Sequence, residues 1–159
     1  MLKALQAKKT KTTGGRFAIV ASKYNAKYVD GMLRAAQAEF KKAQAESVEI
    51  IRVPGAYEIP IVASKLARTQ LPPLSGIICL GVILRGATAH ADHIGGAVSD
   101  ALMQIQLQHE VPVIHEVLLL ENEQQAKERC LSKEYNRGAE AAQTALAMSA
   151  VMKKLNSSC

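Results

Sequence analysis

The chain has 159 residues, 48% hydrophobic and 21% charged, with a formal net charge of +6. That balance suits one globular domain with a real core and excludes a disordered or fibrous chain. No apolar run reaches the length of a membrane span, and two Phe, four Tyr and no Trp leave no basic stripe with interleaved aromatics of the kind that binds nucleic acid.

Residues 1–15 read as a basic tail carrying Lys3, Lys8, Lys9 and Lys11. The tail lacks the apolar stretch of a secretory signal, so cytoplasmic residence is expected. Residues 16–159 read as a single domain. Phe17 to Ala21 is a short apolar strand, and Asn25 can cap a helix whose Val29, Met32, Leu33, Ala36 and Phe40 follow helical spacing. Val48 to Val53 is a second strand, stopped by Pro54-Gly55. Ile59, Val62, Ala63 and Leu66 mark a second helix, with Pro60 tolerated in its first turn. After the Pro72-Pro73 linker, Ile77 to Leu84 is the third strand. Ile94, Ala97, Val98, Ala101 and Ile105 mark the third helix, Val111 to Leu120 the fourth strand, and helices over about 121–130 and 138–154 complete the chain. Three widely spaced cysteines, Cys79, Cys130 and Cys159, suggest neither a metal nor a redox pair. Cys79 lies inside an apolar strand and reads as core packing.

Alternation of strands and helices, with strands apolar almost throughout, predicts a parallel sheet covered on both faces. Right-handed crossovers bring every strand C-terminus to one edge, where such folds bind ligands. Three loops meet there: Lys23-Tyr24-Asn25, Pro54-Gly55-Ala56-Tyr57-Glu58, and Arg85 to His90. In the last, a buried strand runs through a glycine turn into a helix N-terminus, whose unpaired N–H groups bind anions. His90 adds an imidazole, which exchanges protons near neutral pH.

Val53-Pro-Gly-Ala-Tyr-Glu-Ile-Pro60, the stretch Gly81 to His90, and Arg129 with Asn136-Arg137-Gly138 together resemble the 6,7-dimethyl-8-ribityllumazine synthase family, in order, from about residue 16 to 153. The resemblance implies a flavodoxin-like three-layer α/β/α sandwich with a four-stranded parallel sheet, assembled as pentamers and in some members as icosahedral shells. The N-terminal segment is expected to add a strand to a neighbouring subunit. The implied partners are two small molecules, 5-amino-6-(D-ribitylamino)uracil and 3,4-dihydroxy-2-butanone 4-phosphate, condensed to a lumazine with release of phosphate and water, without metal or organic cofactor. In this scheme His90 transfers protons. Tyr24 stacks on the pyrimidine, with Asn25 beside it. Ala56, Tyr57 and Glu58 hold the ribityl chain, and Val82, Ile83 and Leu84 line the pyrimidine pocket. Gly86, Ala87 and Thr88 cradle the phosphate. Arg129 clamps it from an adjacent subunit, and His115 belongs to the same shared wall.

The chain also departs from that pattern. His115 stands where phenylalanine is common and makes the wall polar and titratable. Glu116 replaces a small residue, Leu119-Leu120 a pair of threonines, and Arg137 a lysine. Two other readings compete: a metal site built from His90, Asp92, His93, His109 and His115, and a flavin-binding or structural shell protein that has lost catalysis. The second has no use for His90 and Arg129.

Overall fold

The computed structural model describes residues 14–158; the expectations for the basic tail before residue 14, and Cys159, lie outside them. The elements run β1 (Arg16–Ser22), α1 (Ala26–Lys42), β2 (Ser47–Val53), α2 (Ile59–Thr69), β3 (Gly76–Leu84), α3 (His90–His109), β4 (Val113–Leu120), α4 (Glu123–Cys130) and α5 (Arg137–Ser157), with a 3-10 turn at Ala56–Glu58 ahead of α2. All strands pair in parallel in the order β2-β1-β3-β4, the flavodoxin-like arrangement. The reversal of strand order between β1 and β3 opens a crevice at their C-terminal ends.

Side-chain alternation divides the core into two layers. Phe17, Ile19 and Ala21 of β1, with Ile78, Leu80 and Val82 of β3, pack under α1, α4 and α5. Ala18 and Val20, with Ile77 and Cys79, pack under α2 and α3. The helical spacing in α1 buries Val29, Met32, Leu33, Ala36 and Phe40. Phe40 stacks on Phe17 with ring centroids 4.5 Å apart, and burying each such ring contributes roughly 1.5–3 kcal/mol. The Cys79 thiol has no exposure, and desolvation pushes its pKa up to about 12, so it is a packing residue rather than a nucleophile.

The Asn136-Arg137-Gly138 stretch turns out to be a joint between helices. Asn136 Oδ1 accepts the Gly138 N–H at 2.9 Å and caps α5, while its Nδ2 donates to the Cys130 carbonyl at 2.8 Å and to the Gly31 carbonyl at 3.4 Å. A Cβ at Gly138 would collide with the Met32 carbonyl of α1, so only glycine lets α5 approach so closely.

Two sequence expectations need correction. Asn25 does not cap α1 through its side chain. It adopts a left-handed backbone, φ 55°, which asparagine tolerates better than most residues. Its carbonyl accepts from Tyr28 and Val29, and its amide turns away across the crevice. β4 starts at Val113 rather than Val111, because pairing with β3 begins at Ile77↔Val113.

Candidate active site

The three loops predicted to meet at the sheet edge do so, and backbone bonds tie the first two together. Lys23 N–H donates to the Val53 carbonyl at 2.8 Å and Tyr24 N–H to the Pro54 carbonyl at 3.0 Å. Asn25 Nδ2 donates to the Val82 carbonyl at 2.8 Å, joining β1 to β3 over the crevice. Asn25 is thus both a wall and a brace, and the Val82 carbonyl is already engaged by protein.

These loops enclose a cavity of about 910 Å³, large enough for two small substrates together. Tyr24, Asn25, Ala56, Tyr57 and Glu58 form one side, and Val82, Ile83, Leu84, Gly86, Thr88 and His90 the other. Tyr24 is 73% and Tyr57 66% exposed. Two large rings left in solvent at one cavity mouth are placed to cover a flat ligand. The Gly55 N–H donates to Glu58 Oε2 at 2.9 Å, closing the 3-10 turn. Glu58 holds its own loop with one oxygen and can offer Oε1 to a ligand's hydroxyls.

On the far side, β3 runs into the turn and α3 begins at His90 itself. Thr88 Oγ1 accepts the His90 N–H at 3.4 Å, a long bond that marks the start of the helix. The N-terminal end of α3 therefore meets the cavity with its dipole and early N–H groups. Gly86 and Thr88 reach the wall; Ala87, between them, does not. Sequence reasoning missed Ala91, His93, Ile94 and Ala97, which extend the wall along α3. The i,i+3 spacing of His93 from His90 was the available signal, since it puts both on one helix face.

His115 and Arg129 do not line this cavity. Arg129 sits on α4, in the opposite helix layer. His115 lies on β4 and is held by protein at both nitrogens. The Val117 N–H donates to Nδ1 at 3.2 Å, and Nε2 lies 2.7 Å from Ser99 Oγ, which in turn donates to the Gly95 carbonyl at 2.8 Å. This chain assigns the neutral tautomer with the proton on Nε2, and it leaves Ser99 without a base, so the pair is no nucleophilic dyad. Desolvation lowers the His115 pKa below its ordinary value. Its imidazole therefore resists protonation. Beside it, Glu116 points into the other layer and meets Arg137 Nε at 3.2 Å. Among the described residues no three His, Cys, Asp or Glu side chains converge to hold a metal ion, so the five residues of the metal reading do not form one site. Nor is any described helix long and apolar enough to cross a membrane.

Residues 14–153, nearly the whole chain and all of this cavity, match the family model described as 6,7-dimethyl-8-ribityllumazine synthase.

Proposed function

Since the chain belongs to the 6,7-dimethyl-8-ribityllumazine synthase family, transferases of riboflavin biosynthesis, we propose that it condenses 5-amino-6-(D-ribitylamino)uracil with 3,4-dihydroxy-2-butanone 4-phosphate to 6,7-dimethyl-8-ribityllumazine. One observation carries this reading beyond the family match. A single cavity joins exposed aromatic rings, a carboxylate and a helix N-terminus opening on a histidine. These are the groups that a flat heterocycle, a polyhydroxyl chain and a phosphate ester require.

In this scheme Tyr24 covers the pyrimidine face, and Glu58 with the Ala56-Tyr57 backbone takes the ribityl hydroxyls. The phosphate lies at the Gly86–Thr88 turn against the start of α3. The pyrimidine's primary amine attacks the ketone, and the carbinolamine loses water to give an imine. Removal of a carbon-bound proton gives an enol, which expels inorganic phosphate, and ring closure releases a second water. Each step moves a proton at neutral pH, and His90, between the phosphate turn and the cavity, is placed to carry it. Holding both substrates in contact supplies much of the remaining acceleration.

Arg129 does not reach the cavity of its own chain, so the phosphate clamp it would form must come from a neighbouring copy. We therefore place the site between subunits of a pentamer, with His115 on the neighbour's wall. The short connection 131–136 between α4 and α5 supports closure of pentamers into a shell. Mixing the protein with both substrates and following lumazine fluorescence tests the reaction. Product should form only when both substrates are present, and faster with folded protein than in the protein-free mixture; no acceleration would remove the proposal.

A further inference from the structure

Arg85 has no part in the scheme so far, yet it is the most heavily engaged side chain of the phosphate turn. Its backbone N–H donates to the Leu120 carbonyl at 2.8 Å, continuing the β3–β4 pairing one residue past Leu84↔Leu120. The side chain then reaches forward over the turn. Nη1 donates to both carboxylate oxygens of Asp92 at 2.7 Å, and Nε donates to Glu121 Oε1 at 2.9 Å. The hydrogen bond to Asp92 leads the interactions that hold the guanidinium in its charged form.

The geometry closes the turn at both ends. Gly86 to Ala89 leave β3 at a residue fixed by backbone to β4. They enter α3 at a first turn fixed by side chain to that same residue, seven positions on. A glycine-containing turn held this way has little freedom to lose when it receives an anion. Charge matters as much as shape. Asp92 and Glu121 stand beside the positive end of α3, where they would repel a phosphate, and Arg85 offsets part of that charge while the helix dipole still faces the cavity.

We propose that Arg85 is a positioning residue for the phosphate subsite: by holding Asp92 and Glu121 it fixes the Gly86–Thr88 turn and keeps two carboxylates from competing with the ester. It acts on the turn and not on the substrate, since Nε and Nη1 are engaged by the two carboxylates and Arg85 does not line the cavity. The proposal rests on the lumazine-forming reading for the identity of the ester, but not for the anion chemistry.

The test compares wild type with Arg85→Met and Arg85→Lys. In Arg85→Met the KM for the butanone phosphate rises roughly tenfold, as expected for uncompensated carboxylates within a Debye length of an anion. The pyrimidine KM and kcat stay within about twofold. Arg85→Lys keeps the charge but cannot span both carboxylates, and its phosphate KM rises by about threefold to fivefold. Adding Asp92→Asn to Arg85→Met recovers part of the loss, which a purely structural role does not predict. An unchanged phosphate KM, or an equal rise in both KM values, overturns the proposal; if Arg85→Met does not fold, Arg85→Lys decides on the same criterion. If wild type makes no lumazine, the reaction assigned above fails, and Arg85 is judged by the rise in Tm that inorganic phosphate gives each protein. A rise in wild type that is lost in Arg85→Met and partly kept in Arg85→Lys upholds the clamp. Equal rises, or none in wild type, overturn it.

Discussion

Glu116→Gln should stabilise the protein above neutral pH and leave it almost unchanged in mild acid. Glu116 is 7% exposed on β4. Arg137 Nε lies 3.2 Å from it, and the same guanidinium serves Glu140 at 2.9 Å. Desolvation pushes the Glu116 pKa up from 4.5 to about 7, and Arg137 pulls it back only in part. The folded protein therefore holds this proton more tightly than the unfolded chain. Below about pH 4.5 both states are protonated and the group costs nothing. Between about pH 4.5 and 7 the unfolded chain releases its proton first, so stability falls as pH rises, and above 7 the loss is complete. At about 1.4 kcal/mol per pH unit of separation the loss approaches roughly 3 kcal/mol. Arg137 is 38% exposed and solvent screens it, so about 1–3 kcal/mol is the expected range. Glutamine keeps the shape and has no proton to lose. Denaturant unfolding of both proteins at equal concentration, from pH 4.5 to 8, should show agreement within about 0.5 kcal/mol at the acid end and a lead of about 1–3 kcal/mol for the variant at pH 8. A constant gap at every pH, or a less stable variant at pH 8, would show that Glu116 is ionised throughout and that its pair with Arg137 is a net gain.

His90→Ala should lower kcat by roughly tenfold to a hundredfold, with little effect on the unfolding midpoint because the residue sits at an exposed helix start; wild-type kcat in the folded variant removes His90 from the chemistry. Arg129→Ala should raise the phosphate KM roughly tenfold to a hundredfold, the value of a charge-assisted bond, while the pyrimidine KM stays put. Coexpressed with His90→Ala, it should regain activity at about a quarter of the sites, because a shared site can draw its histidine and arginine from different subunits; no recovery would place both groups on one chain. His115→Phe should leave the pH–rate profile unchanged above about pH 6.5, since the lowered pKa and the two engaged nitrogens keep His115 neutral there; a displaced limb in that range would show that the ring titrates during turnover.

Much of this architecture is written in local patterns. The apolar runs of β1 and β3 and the helical spacing of α1 specify buried elements by burial alone, and parallel strands leave one edge for the loops. What escaped depends on partners distant in sequence. Asn25 looks like a helix cap until Val82, 57 residues on, offers a carbonyl. The Asn136-Arg137-Gly138 stretch gives no sign of the Met32 backbone that demands its glycine. His115 is titratable in any list of residue types, and it is burial, beside the Val117 N–H and the Ser99 hydroxyl, that makes it resist a proton. Arg85 stands in the anion turn by sequence, but its grip on Glu121 spans 36 residues. In the cavity itself, the helical spacing that puts His93 on one face with His90 fits a metal pair as well as a cavity wall.

The central claim is that this cavity joins an amine to a phosphate-bearing ketone and expels the phosphate. The most direct measurement follows lumazine absorbance and inorganic phosphate in one reaction of wild-type protein with both substrates. The account predicts that the two products appear together in equal amounts, faster than in the protein-free mixture, and that neither appears when a substrate is withheld. Phosphate released without lumazine, or folded protein that leaves the protein-free rate unchanged, would contradict it.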